Sequence, residues 1–238
     1  MVVSIVHAVF FGILFVLGVV LNGFVCFCHI YHRRFLMKGS RSILVCSLAF
    51  TDIFQSLLAK PLALHASING RWSTGALGCN LYGFFCTWLG LSSLLHIALL
   101  SYERFYILSS IYLTVMPKLR VVIMVFSMNC VCLFVACLPL LGWSRYVSLG
   151  NKFHCAVAFT TVDSNHLSFT FFLLAAFFCS SLCVIVVSNV KLFFVVRRIC
   201  DNANRTWGEA SLYTQQTYLT EVILTRSLCA CDFYHARK

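Results

Sequence analysis

Five uninterrupted apolar stretches, each long enough to cross a bilayer, constrain this chain more than any other feature. They lie near Ser4–Ile30, Ser42–Leu64, Ala76–Leu100, Val121–Leu141 and Leu167–Val196. A span needs about 20 apolar residues, because the hydrocarbon core is roughly 30 Å thick and a helix rises about 1.5 Å per residue. Inside lipid a helix satisfies all its backbone groups within one segment. The stretches therefore predict an all-α membrane protein. Composition agrees: the 238 residues are 61% hydrophobic and 11% charged, where a soluble domain is about 25% charged. Mean hydropathy is +0.90. The first stretch is too long for the apolar core of a signal peptide, and no small-residue cleavage site precedes its polar flank. It opens almost at Met1, which predicts no extracellular domain ahead of it.

Lysine and arginine set the orientation. Fourteen of the eighteen lie after the first, third and fifth spans, among them Arg33, Arg34, Lys38, Arg41, Arg104, Lys118, Arg120, Lys191, Arg197 and Arg198. Arg71, Arg145 and Lys152 occupy the opposite loops. The positive-inside bias puts the N-terminus outside and the segment after the fifth span in the cytoplasm. The formal charge of +11 thus reads as topology and attraction to anionic lipid rather than nucleic-acid binding.

Of the fourteen cysteines, nine fall inside the spans, where cysteine serves as a small apolar residue. Cys200, Cys229 and Cys231 are cytoplasmic in this orientation and reduced there. Cys79 and Cys155 lie outside and are the candidates for a disulfide. The cysteine pairs are C-x-C without a partner pair, which predicts no zinc site. Cys79 stands 24 residues before Glu103-Arg104-Phe105, a rise of roughly 36 Å. One membrane face is marked by a cysteine and the other by an acid–arginine pair. Alone, such a pair is commonly a solvated helix end.

Polar residues within lipid are costly and invite a functional reading. Asn22 and Asp52 lie deep in the first and second spans. They read either as a packing pair with a structural water network or as an ion or water site that takes part in switching. Lys60, before Pro61, reads as a lysine snorkelling to the interface or as a charge lining a ligand pocket. His96 reads as a packed, hydrogen-bonded imidazole rather than a ligand. No phosphate loop, H-E-x-x-H or paired carboxylates occur, so the chain is not expected to be an enzyme. Asn204-Arg205-Thr206 matches a glycosylation acceptor but falls on the cytoplasmic side.

The motifs together resemble a family. Leu21-Asn22-Gly23, Leu48-Ala49-Phe50-Thr51-Asp52, Trp72, Cys79, Glu103-Arg104-Phe105 and Cys155 fall in the order and spacing of rhodopsin-like (class A) G-protein-coupled receptors. Gly142-Trp143-Ser144-Arg145-Tyr146 looks like the opsin form of the second outer loop. The resemblance covers roughly residues 15–200. It implies a rhodopsin-like helical bundle with five of the seven transmembrane helices present. It implies a receptor domain over 1–200, then a cytoplasmic tail over 201–238 holding the start of a sixth helix and an aberrant end. Arg104 resembles the arginine that contacts a heterotrimeric G protein, restrained by Glu103 at rest. Asp52 and Asn22 resemble the interior polar network. Cys79–Cys155 resembles the disulfide that pins a loop lid over the ligand pocket. Tyr82, Gly83, Cys86, Thr87, Gly90 and Tyr146 fall at pocket positions. The small residues among them read equally as a close-packing stripe.

Departures from the family pattern accompany the matches. The lysine that bonds retinal belongs to a seventh span, and Thr220–Arg226 resembles only the entry to a sixth. The expectation is a chain truncated after the fifth helix, with retinal the family cofactor but not attached covalently here. Neither usual counterion acid is present, since Tyr82 and Leu149 stand at those positions. Asn129, Ser181 and Asn189 replace the expected tryptophan, proline and tyrosine. The implied role is light sensing with G-protein signalling, in a multi-pass protein of the plasma membrane or one retained in the endoplasmic reticulum. The alternatives are a class A receptor for a diffusible ligand and a non-signalling partner that forms hetero-oligomers with full-length receptors.

Overall fold

The computed structural model describes residues 2–31, 39–109, 116–149, 153–159 and 163–207. Arg33, Arg34, Lys38, Lys152, Cys229, Cys231 and the Thr220–Lys238 segment discussed above lie outside the described residues. Among the described residues, seven α-helices and two short strands follow one another: α1 (Val2–Tyr31), α2 (Ser40–Leu58), α3 (Lys60–Ile68), α4 (Gly75–Ser109), α5 (Lys118–Cys137), β1 (Tyr146–Ser148), β2 (Cys155–Val157), α6 (Ser164–Leu173) and α7 (Ser180–Trp207). They form five long apolar helical rods, Val3–Tyr31, Ser40–Ile68, Gly75–Ser109, Lys118–Leu140 and Ser164–Ile199. The architecture is a bundle of five membrane-length helical rods.

Two rods are interrupted for identifiable reasons. Between α2 and α3, Ala59 still donates its N–H to Gln55 O at 3.0 Å. Pro61 then has no N–H to give and its ring crowds the preceding turn, so the rod breaks at this point. Between α6 and α7, one wide turn spans Leu174–Cys179 with i→i+5 bonding. The hydroxyl of Ser180 donates to the carbonyls of Ala176 and Phe177 there. A serine beside the wide turn thus serves carbonyls that a regular helix would pair with amides.

Helix α4 is the axis of the bundle. It packs against α2, α5, α7 and both strands, while α1 leans on α2 and α3. Three buried clusters hold it: Phe11, Ala59, Ala63, Cys79, Tyr82 and Cys155 at one end; Leu44, Leu99, Met116 and Val121 at the other; Cys132, Val135, Phe169 and Phe177 between α5 and the α6–α7 rod. Outward-facing Val, Leu, Ile and Phe of α1 and α7 remain exposed along their length. In water such faces would drive aggregation; in a bilayer they meet acyl chains.

Candidate functional site

The strands form a lid over one end of α4. β1 and β2 pair antiparallel, with Tyr146 opposite Val157 and Ser148 opposite Cys155. Cys79 near the start of α4 is disulfide-bonded to Cys155, Cα to Cα 5.4 Å. The turn that launches β1 needs unusual backbone: Gly142 has φ 105° and Ser144 φ 77°. Only glycine takes the first without strain, and the second holds because its neighbours are locked. Trp143 packs edge-on to Phe169 with centroids 5.3 Å apart, and its indole N–H donates to Ser168 Oγ at 3.0 Å. Asn165 Nδ2 donates to the Gly142 carbonyl at 2.9 Å.

Tyr146 completes the lid. Its hydroxyl donates to the Ala136 carbonyl at 2.8 Å, and its ring lies where a Gly83 side chain would be, the Cγ only 2.6 Å from a Cβ built there. Burial raises the pKa of the phenol to about 12, so it stays a neutral donor. On the α1 side of the lid, His154 has no partner for Nδ1 among the described residues. Burial, followed by the nearby His7, lowers its pKa and keeps the ring neutral.

Beneath the lid is an open cleft of about 300 Å³, lined by α4, the β2 strand and α6, with Gly83, Cys86, Thr87, Val157, Thr170 and Leu173 among its walls. Three of the pocket candidates therefore meet at one cavity, with Tyr146 against Gly83. The other two do not line it. Tyr82 turns toward α3 and packs edge-on to Trp72, centroids 5.4 Å apart. Gly90 faces Gln55 of α2, whose Nε2 lies 3.8 Å from a built Cβ. On a helix of about 3.6 residues per turn Gly83 to Thr87 is little more than one turn, and the lid cleft reaches only that first turn of the small-residue stripe.

A polar belt crosses the bundle at mid-height. Asp52 Oδ1 accepts from Ser93 Oγ at 2.8 Å, joining α2 to α4. Asn22 instead donates into its own helix, to Gly18 O at 2.9 Å. Asp52 thus meets a hydroxyl of α4, while Asn22 is satisfied within α1. His96 is fully buried, with Nε2 2.9 Å from Ser47 Oγ and Nδ1 2.7 Å from Ser92 O. Ser92 Oγ donates to Asn129 Oδ1 at 2.7 Å. Asn129 thereby ties α5 to α4.

At the far end of α4 the acid–arginine pair is divided. Glu103 is 0% exposed. It accepts from Ser40 Oγ at 2.9 Å and from Arg41 Nε at 3.2 Å, both at the start of α2. Arg104 is exposed and makes no ion pair among the described residues. The expected restraint of Arg104 by Glu103 is therefore corrected to a Glu103–Arg41 pair. Consecutive helical residues point about 100° apart, so one faces α2 while the next faces out. Phe105 lies beneath Lys191 of α7, whose Nζ is 5.6 Å from the ring centroid. Ser40, Arg41, Ser47, Ser92 and Ser93 were missed by sequence reasoning. A serine in a span carries no signal until its neighbour is known.

A multi-pass helical bundle, with a strand hairpin disulfide-bonded across a cleft on its central helix, defines a class of membrane receptor. The chain belongs to the 7 transmembrane receptor (rhodopsin family), whose family model matches residues 21–233. It is an opsin-like member, and the family is one of receptors rather than enzymes. It is 25% identical over 195 residues to Melanopsin-B of Xenopus laevis, covering 80% of this chain and 35% of that protein. It is 27% identical over 196 residues to Rhodopsin of Psalidodon fasciatus, covering 80% and 54%. The chain thus spans less than two thirds of the length of these relatives. The crystal structure of squid rhodopsin superposes with a TM-score of 0.79 at 20% identity, over 98% of this chain and 68% of that one. At that identity the likeness speaks for the fold alone.

Proposed function

We propose that this chain is an opsin-like receptor chain whose cleft beneath the lid receives a polyene body without bonding it. The observation that carries this reading is the lining. Gly83, Cys86, Thr87, Ala156, Val157, Phe159 and Leu173 offer a mainly apolar surface at the lower end of the usual ligand-cavity size. No lysine stands among the described residues that line the cleft to condense with a retinal aldehyde. The lining suits the polyene and, among the described residues, offers no amine for a Schiff base. Exposed Arg104 beside the buried Glu103 supports a docking role for that end of α4 toward a G protein, with Arg41 as the group that must let go of Glu103 if the end rearranges.

Reconstitution of the purified chain with 11-cis-retinal followed by borohydride tests this. The expected result is no retinyl group fixed to the chain and no red-shifted Schiff-base band. A retinyl group fixed in the wild type and lost in Lys60→Ala overturns the reading and makes Lys60 the attachment site. The apolar faces of α1 and α7 favour a second reading, pairing with an intact opsin. Co-precipitation with a full-length opsin separates it from the first.

A further inference from the structure

A second cleft, of about 220 Å³, opens at the opposite end of the bundle from the lid. Tyr102 and Phe105 of α4 form one wall; Cys183, Val184, Val187, Ser188 and Lys191 of α7 form the other. It opens on the outer surface, since Tyr102 is 39%, Val184 40% and Val187 43% exposed. The walls are apolar along the helix axis and end in a single cation. Lys191 is exposed and makes no hydrogen bond or ion pair among the described residues. Only the face of Phe105 lies beneath it, which attracts an ammonium weakly and leaves its three donors open. Its position near the end of the last apolar stretch lets the stem lie in hydrocarbon while the head reaches phosphate level. Arg198, two turns on along the same helix face, is exposed as well.

We propose that this cleft holds one anionic phospholipid of the cytoplasmic leaflet, with an acyl chain along Cys183, Val184 and Val187 and the headgroup on Lys191. The occupant follows from charge complementarity on a surface that already faces lipid. A neutral lipid fills the groove but leaves the ammonium unpaired. An anionic one satisfies both.

Native mass spectrometry of the purified full chain, given phosphatidylserine or phosphatidylcholine of identical acyl chains, tests the assignment. The wild type is expected to retain phosphatidylserine preferentially. One lysine at a membrane surface contributes about fivefold in affinity, so Lys191→Ala should weaken phosphatidylserine retention by about that factor and leave phosphatidylcholine unchanged. Lys191→Arg should keep the preference. Val187→Trp keeps the charge, fills the groove and should also weaken retention, which serves if the alanine variant does not fold. Arg120→Ala, a cation on α5, should change nothing. Equal retention of the two lipids by the wild type overturns the proposal, as does undiminished phosphatidylserine retention in Lys191→Ala or an equal loss in Arg120→Ala.

Discussion

Glu103 shows how one side chain can be legible in type and not in partner. Its place beside Arg104 is plain in the sequence; its hydrogen bonds to Ser40 and Arg41 are not, because they depend on how α2 meets α4. A buried carboxylate is stable only while its acceptors are filled. Arg41→Ala is therefore expected to lower stability by about 1–3 kcal/mol, the usual cost of stranding a buried polar group. Adding Glu103→Gln should recover part of that loss, since a neutral amide costs less to bury than an unpaired charge. Thermal unfolding of both single variants and the double variant in detergent reads the cycle. If the double variant is as unstable as the sum of the singles, the ion pair is not what holds α2 to α4. Asp52 and Asn22 carry the same lesson. Their burial needs were legible, but Asp52 finds Ser93 rather than Asn22.

At the scale of elements, apolar length alone revealed five rods, because lipid leaves a backbone few other solutions. The breaks within them were less visible. Pro61 announces one; the wide turn at Leu174–Cys179 has no such marker in sequence. The small-residue stripe of α4 was visible but not its division of labour. Gly83 meets the Tyr146 ring of the lid, whereas Gly90 has only Gln55 at van der Waals distance. Gly83→Ala should thus destabilise the protein by about 1–3 kcal/mol through overpacking. Gly90→Ala should be neutral or slightly stabilising, because alanine favours helix over glycine. Thermal shift measurements on the two variants compare them directly, and equal melting points would show that Tyr146 does not seat on Gly83.

For the whole molecule, the charge bias and the disulfide point the same way: the lid end outside, the Glu103–Lys191 end inside. An epitope at the N-terminus should be labelled on intact cells, and one placed after Trp207 only after permeabilisation. The reverse pattern would put Lys191 in the outer leaflet and Cys79–Cys155 in a reducing compartment. The bundle was readable because its five rods are dictated locally by hydropathy. The lid cleft was readable only in part, since it is made by two strands and a helix that converge from distant parts of the chain.

The wide turn in the last rod acts as a phase shifter. Each residue of a regular helix advances the side chain by about 100°, so an extra residue in one turn rotates everything beyond it relative to everything before it. Above the turn, Thr170 and Leu173 are aimed at the lid cleft; below it, Val184, Val187 and Lys191 are aimed at the opposite end of α4. On a straight helix Leu173 and Val184 would lie within about 20° of each other, so it is the wide turn that sets the face above it roughly a quarter turn from the face below, while both ends still meet α4. A single-residue deletion between Leu174 and Cys179 would leave the rod helical and its composition almost unchanged. By removing the extra residue it would restore a regular helix and keep Lys191 over Phe105, whereas straightening the turn with every residue retained would rotate Lys191 about 100° around the helix, away from Phe105.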